Sequence, residues 1–86
     1  MPTISEFFGI YIMMYVDDHL PPHFHAKYQG EEAKINIRTG KIIKGRISPK
    51  ALRLVEQWRK IYIAELIENW ENGSKLILPK SIPPLK

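Results

Sequence analysis

The chain contains no cysteine among its 86 residues, which excludes both a disulfide framework and a cysteine-ligated zinc site. It also lacks any apolar run near the roughly 20 residues that a transmembrane helix needs. The lack of cysteine is typical of proteins of the reducing cytoplasm, and the lack of a long apolar run indicates a chain that does not cross a membrane, so we expect a cytoplasmic protein. The apolar fraction of 44% is sufficient for one small folded domain.

Acidic residues are scarce in the middle of the chain. Residues 34–60 carry nine lysines and arginines, and Glu56 is the one acid among them. The whole chain has a formal net charge of +4. A concentrated basic segment is typical of a surface that binds phosphate or an acidic partner. An ordinary solvated surface is the alternative interpretation.

Apolar and polar residues alternate over several short segments, which predicts β-strands. The predicted strands cover residues 10–16, 23–28, 33–38 and 41–47, with turns at Gly30 and Gly40. Ser48 and Pro49 then provide a favoured N-cap and first residue for a helix, which we expect to end near Asn72, before Gly73. At 100° per residue, Arg59 falls inside the apolar face of this helix, where it would extend to solvent or meet an acid from the sheet.

This order of elements predicts an α+β fold. We expect an antiparallel meander of four to five strands, packed against one long C-terminal helix, in a domain over residues 1–72. Residues 73–86 form a tail with three prolines. Its apolar residues, 76–78 and Ile82, would pack back on the domain as a short strand or contact a partner.

Alternation also predicts which residues lie away from the helix. Phe24, Ile43 and Ile47 are among those expected to face it, while the opposite face would collect polar residues. These are His23, His25, Lys27, Lys34, Asn36, Arg38, Lys44 and Arg46, with Tyr11 and Tyr15 as further candidates. Such a face is typical of platforms that bind single-stranded nucleic acid. Lys34, Arg38, Lys44 and Arg46 are the predicted phosphate contacts, and an ordinary solvated sheet face is the alternative.

Residues 17–25, DDHLPPHFH, hold every histidine of the chain. His23 and His25 are two positions apart on a predicted strand and therefore project to the same side. They would bind a divalent transition metal together with His19 or an acid such as Asp18. They would equally serve as acid–base catalysts oriented by Asp18 or His19. A purely structural turn is the third interpretation, and the sequence leaves all three open.

Two helical residues are candidates for a supporting role. Glu65 and Asn69 are four positions apart and so neighbour each other on one helix face, beside aromatic residues. Polar groups on a packing face need hydrogen-bond partners. Glu65 would pair with a sheet histidine or with Arg59, and a hydrogen-bonded boundary position is the alternative.

Three segments resemble one family of small bacterial proteins, domain-of-unknown-function family 4160. They are MPTISEFFGIYI, DHLPPHFHAKY and ALRLVEQW…ELIENW, of which DHLPPHFH, residues 18–25, is the most specific. The resemblance implies a gene that often lies beside a second small gene, and a suspected role in toxin–antitoxin modules. It supplies no catalytic or binding residues.

The expected function is therefore that of a component of a bacterial toxin–antitoxin-type module. It would bind or cleave RNA through the histidine segment and the basic sheet face, with a second small protein as its partner. The alternatives are a non-enzymatic antitoxin or regulator that binds its partner through the tail, and a small metal-binding module. The sequence decides neither whether the chain is an enzyme nor its oligomeric state.

Overall fold

Five strands and two helices follow one another in the computed structural model, which describes residues 3–86. The strands are β1 (Thr3–Phe7), β2 (Ile10–Met13), β3 (His23–Tyr28), β4 (Glu31–Asn36) and β5 (Ile42–Gly45). The helices are α1 (Pro49–Ile61) and α2 (Ile63–Ser74). Met1 and Pro2, where the predicted domain begins, lie outside the described residues. None of the helices within residues 3–86 is long and apolar enough to cross a membrane.

The strands form one antiparallel sheet in the order β1-β2-β3-β4-β5, which confirms the predicted α+β class and the meander. The sequence did not predict β1. This strand buries Ile4 and Phe7, but its register shifts between Thr3 and Ser5. The shift breaks the simple alternation by which strands are found in a sequence.

The prediction that Ile43 faces the helix is wrong. Lys44 pairs with Lys34 and Ile42 pairs with Ile35, so Ile43 is the extra residue of a β-bulge between them. The side chain of Ile43 is 42% exposed. Ile47, just beyond the bulge, is buried as predicted.

The predicted single helix is two helices that meet at Tyr62. Helix α1 starts as predicted, because the Ser48 hydroxyl accepts a hydrogen bond from the Ala51 N–H and Pro49 is the first helical residue. Tyr62 has φ −114° and ψ 26°, outside helical values. It lies between Ile61 and Ile63, and such a run of branched and aromatic residues loses side-chain freedom in a helix. The second helix runs to Ser74, and Gly73, the expected stop, is buried within it.

Arg59 of α1 is buried, with 6% of its surface exposed. The predicted acid from the sheet is wrong. Arg59 instead donates two hydrogen bonds to Glu56 of its own helix, at 2.7 and 2.8 Å. It also donates to the backbone carbonyls of Ile37 at 2.8 Å and Arg38 at 3.3 Å, just beyond β4. We call these four residues the arginine anchor, because they tie α1 to the end of β4.

The tail has no helix or strand from residue 77 to residue 86, so the alternative of a short strand there is wrong. It nevertheless contacts the domain, since Ile82 is buried in the core and its N–H donates to the Ile4 carbonyl at 2.8 Å. Two side chains hold it in place: Asn69 exchanges two 2.9 Å hydrogen bonds with the backbone of Lys80, and the Trp58 indole donates to the Pro83 carbonyl. The apolar residues 76–78 remain exposed.

Candidate functional site

The connection between β2 and β3 brings Asp18 to the histidines of β3. The N–H of Asp17 donates to the carbonyl of Gly73 at 3.0 Å, which fixes this connection against the end of α2. The His19 N–H donates to Asp18 Oδ1 at 2.8 Å and holds the carboxylate in position. Asp18 is therefore oriented by its neighbour His19, within a connection that a distant residue, Gly73, holds in place.

Asp18, His23 and His25 form one group, which we call the histidine group. The Oδ2 atom of Asp18 lies 2.9 Å from His23 Nε2 and 3.9 Å from His25 Nε2. The two imidazole rings are 5.3 Å apart between centroids. Each residue offers one ligand atom, and these three atoms lie within 4.8 Å of one another.

His23 is buried, with 2% of its surface exposed, so its expected place on a solvated sheet face is wrong. The indole of Trp70 in α2 covers it, with ring centroids 5.1 Å apart. Its second ring nitrogen, Nδ1, lies 2.8 Å from the carbonyl oxygen of Pro21. Both nitrogens of His23 therefore face oxygen atoms.

His25 is more accessible and is held by two other side chains. Its Nδ1 lies 3.3 Å from Glu32 Oε2. The phenol ring of Tyr15 meets its imidazole edge-on, with centroids 4.8 Å apart. His25 thus joins the buried part of the group to the open face of the sheet.

The electrostatic environment shifts the pKa of three side chains at this site. Burial raises the pKa of Asp18, but the His19 N–H and the protonated forms of His23 and His25 outweigh burial and hold the pKa below its usual range. Burial and the charge of His23 lower the pKa of His25, and Glu32 and Asp18 oppose them only in part. Burial, together with Glu32 and Asp18, raises the pKa of Tyr15.

Two of the four predicted phosphate contacts lie beside the histidine group. His25 pairs with Lys34 across the sheet, and Lys34 pairs with Lys44, so the three share one cross-strand row. A cleft on this face is lined by His25, Glu32, Lys34, Lys44 and Gly45.

The two predicted arginines lie outside this cleft. Arg38 is in the turn after β4, where its backbone N–H donates to Asn36. Arg46 projects into solvent, with 89% of its side chain exposed, and pairs with Glu31 at 3.1 Å. Neither lines the cleft, so the four phosphate contacts predicted from the sequence do not form one surface.

The remaining predicted site residues are not part of the histidine group. The side chain of His19 is exposed, and the group contains Asp18 in its place as the third potential ligand. Glu65 is exposed on α2, so the prediction that it packs against a histidine or Arg59 is wrong. Asn69 is buried, as expected for a packing face, but it binds the tail at Lys80.

Sequence analysis overlooked Glu32 and Trp70 as neighbours of the histidines. The sequence does indicate the position of Glu32. Strand alternation places Glu32, two residues before Lys34, on the same face as Lys34 and Asn36. No local sequence pattern indicates the contact between Trp70 and His23, since this contact depends on how α2 crosses the sheet. Long-range helix packing is not encoded in a local pattern.

A family model described as Domain of unknown function (DUF4160) matches residues 9–71. The chain belongs to this family. The match includes all three residues of the histidine group, as well as Glu32, Trp70 and both lysines of the cleft. No curated protein and no solved structure shows significant similarity to the chain. The family's description names no activity, so the side-chain geometry has to carry any functional conclusion.

Proposed function

We propose that this chain is a component of a bacterial toxin–antitoxin-type module and that it binds and cleaves RNA at the histidine group. The observation that carries the proposal is the row formed by His25, Lys34 and Lys44, with Asp18 and His23 beside it. The support for the cellular role is membership of family 4160, for which a role in toxin–antitoxin modules is suspected.

The lysines supply the contact with the RNA backbone. Two cationic side chains in one row bind phosphate oxygens and stabilise the extra negative charge that builds up during phosphoryl transfer. Glu32 lies in the same cleft and partly offsets their charge. The proposed site therefore recognises a single backbone phosphate, in contrast to a broad basic surface.

The histidine group supplies the chemistry. A base in the group removes the proton of a ribose 2′-hydroxyl. The 2′-oxygen of that ribose then attacks the adjacent phosphorus. The bond from phosphorus to the 5′-oxygen of the next nucleotide breaks, and that oxygen takes up a proton. The products end in a 2′,3′-cyclic phosphate and a 5′-hydroxyl, which requires no oxidant or second substrate.

RNA binding is tested with a labelled single-stranded RNA by fluorescence anisotropy near physiological salt. Replacing both cleft lysines, Lys34→Gln with Lys44→Gln, should weaken binding about tenfold, because phosphate contacts contribute much of the affinity for nucleic acid. The pair Lys50→Gln with Lys60→Gln on the exposed side of α1 removes the same charge and should have a smaller effect. Equal losses of RNA affinity in the two double variants, or no RNA binding by the natural chain, would contradict the proposed site.

Cleavage is followed on the same RNA by gel electrophoresis. The natural chain should produce fragments with cyclic phosphate ends, and the all-deoxy analogue should remain intact. His25→Gln should abolish cleavage while leaving binding within a few-fold. Intact RNA after incubation with the natural chain would reject the enzymatic part of the proposal.

A second candidate is a non-enzymatic protein that binds a second small protein encoded nearby. The supporting observation is the exposed apolar run Leu76, Ile77 and Leu78, with exposed fractions of 69%, 48% and 71%. Contiguous exposed apolar side chains are typical of a protein contact. The hydrogen bonds of Asn69 to Lys80 hold this run at its C-terminal side.

Co-purification of the neighbour-encoded protein tests this candidate. Leu76→Asn with Leu78→Ser should abolish capture, and Asn suits the positive φ of 63° at residue 76. Leu20→Ser, which changes an equally exposed leucine in the connection between β2 and β3, is the control. Point variants are needed because truncation after Gly73 would also remove Ile82 from the core. Unchanged capture by the double variant would exclude the tail as the contact.

A further inference from the structure

When the ring of His23 is neutral, one of its two polar contacts joins two hydrogen-bond acceptors and has no donor. The Pro21 carbonyl is an acceptor only, so the 2.8 Å contact with His23 Nδ1 requires the proton to be on Nδ1. A neutral His23 then has a lone pair at Nε2. That lone pair faces the carboxylate oxygen Oδ2 of Asp18 at 2.9 Å, and an ionised carboxylate also only accepts.

Two acceptors at this distance require a positive group between them. His23 is buried beneath Trp70, so the bridging charge is shielded from water. It is either a second proton, on His23 or on the Asp18 carboxyl, or a metal ion that takes the lone pairs of both residues. The neighbourhood of the pair favours the ion.

His25 repeats the arrangement of His23. Its Nδ1 faces the carboxylate of Glu32 at 3.3 Å, which places a proton on Nδ1 and a lone pair on Nε2. That Nε2 lies 3.9 Å from the same Asp18 oxygen. In both histidines one nitrogen is held by an oxygen acceptor while the other points to Asp18. This is the arrangement that orients metal-binding histidines, in which the second ring nitrogen donates to a carbonyl or a carboxylate.

We infer that Asp18 Oδ2, His23 Nε2 and His25 Nε2 bind one divalent transition-metal ion of the Zn²⁺ class. Two imidazole nitrogens and one carboxylate oxygen form a donor set that such ions accept. Bonds of roughly 2.0–2.1 Å in a tetrahedral site separate ligand atoms by about 3.3 Å, and the separations of 2.9 and 3.9 Å lie on either side of that value. The three ligand atoms span up to 4.8 Å, so the histidine rings have to move closer together by roughly 1 Å when an ion binds. Three protein ligands leave a fourth position for water, as in catalytic zinc sites.

The local charge is compatible with a cation. Asp18 and Glu32 carry two negative charges at the site, which offset the two positive charges of Lys34 and Lys44 along the row. Glu32 contacts His25 directly, whereas each lysine reaches the histidine group through the cleft. The inference rests on the proposed site and changes its base: with an ion bound, both imidazole lone pairs are taken, and the water in the fourth position would remove the 2′-hydroxyl proton. Metal binding is measured without RNA, so either proposal can fail alone.

The test is a titration of metal-free protein with ZnCl₂, followed by calorimetry and by thermal unfolding. The natural chain should bind one equivalent and unfold at a higher temperature when zinc is present. Asp18→Asn and His25→Gln should each weaken binding by more than about 100-fold, because each removes a ligand. Glu32→Gln, which keeps all three ligands, should weaken it by a smaller factor, within the 10–100-fold that such supporting residues contribute.

His19→Gln is the matched control, because it removes a histidine of the same segment that is not in the group. It should bind zinc as the natural chain does. A loss as large as that of His25→Gln would overturn the inference, since it would indicate non-specific binding to histidines. Absence of stoichiometric binding by the natural chain would overturn it as well, and would leave a proton as the bridge between Asp18 and His23.

Cobalt spectroscopy on the natural chain keeps the inference testable if the variants do not fold. Co²⁺ bound by two imidazoles, a carboxylate and water in a four-coordinate site should give strong visible absorption. The weak spectrum of six-coordinate aqueous Co²⁺, unchanged by the protein, would contradict the site.

Discussion

The histidine group and the arginine anchor are each built around one buried polar side chain, His23 or Arg59, yet the two clusters satisfy their polar atoms differently. In the anchor, each hydrogen bond of Arg59 joins a donor to an acceptor: the carboxylate of Glu56 and two backbone carbonyls. In the histidine group, the contact between His23 and Asp18 joins a lone pair to a carboxylate unless a cation lies between them. The anchor is complete within the chain, whereas the histidine group needs a proton or an ion from outside.

This difference separates a structural cluster from a candidate functional one. A fully paired buried network stabilises the fold, and removing any member leaves unsatisfied groups behind. A cluster that lacks a cation gains free energy when it binds one. Burial and charge alone would not distinguish the two, but the matching of donors with acceptors does.

The largest expected stability effect is at the anchor. Arg59→Met should lower the free energy of unfolding by about 2–4 kcal/mol, because the carbonyls of Ile37 and Arg38 lose their donor and Glu56 loses its partner. Urea denaturation measures the change. Arg53→Met, an exposed arginine on the same helix, should stay within about 0.5 kcal/mol. Similar losses at the two positions would remove the distinction between the clusters, since the anchor would then contribute no more than a surface residue.

A smaller effect is expected from pH. The hydrogen bond from Arg59 lowers the pKa of Glu56 below its ordinary 4.5, against the effect of burial. Because the folded-state pKa is the lower one, the ionised form stabilises the fold above pH 4.5, and this contribution disappears as pH falls through the folded-state pKa. Glu56→Gln should therefore cost less than about 1 kcal/mol at pH 7, and the difference between the two chains should shrink as the pH falls below 4.5.

Denaturation curves of the natural chain and Glu56→Gln between pH 7 and pH 3 provide the measurement. Asp18, whose pKa is also lowered, is present in both chains and cancels in the difference. A constant difference across this range would show that the carboxylate charge of Glu56 does not stabilise the anchor.

Local patterns predicted much of the fold. Alternation located β3 and β4, and Ser48 with Pro49 marked the first residue of α1, because these signals depend on neighbouring residues alone. The bulge at Ile43 and the end of the helix at Ile61 were not predicted. Both are local exceptions to a periodic pattern. The bulge interrupts strand alternation by one residue, and the low helix propensity of the run from Ile61 to Ile63 is a weaker signal than the apolar period that continues through it.

The histidine group was predictable only in part. The period of a strand places His23 and His25 on one side, and no more than that follows from spacing. The choice of Asp18 over His19 as the third member depends on the connection between β2 and β3, which α2 fixes through Gly73. The partners of Arg59 likewise lie beyond the end of β4, and no sequence motif indicates them.

The hydrogen bond between Ile82 and Ile4 has a consequence for the order in which the chain folds. It joins residues from opposite ends of the described chain, whereas the meander and the helices form from near neighbours. Closing such a long loop costs conformational entropy before the contact returns any stability, so we expect the tail to dock after the folding transition state. Weakening that contact should then accelerate unfolding and leave the folding rate almost unchanged.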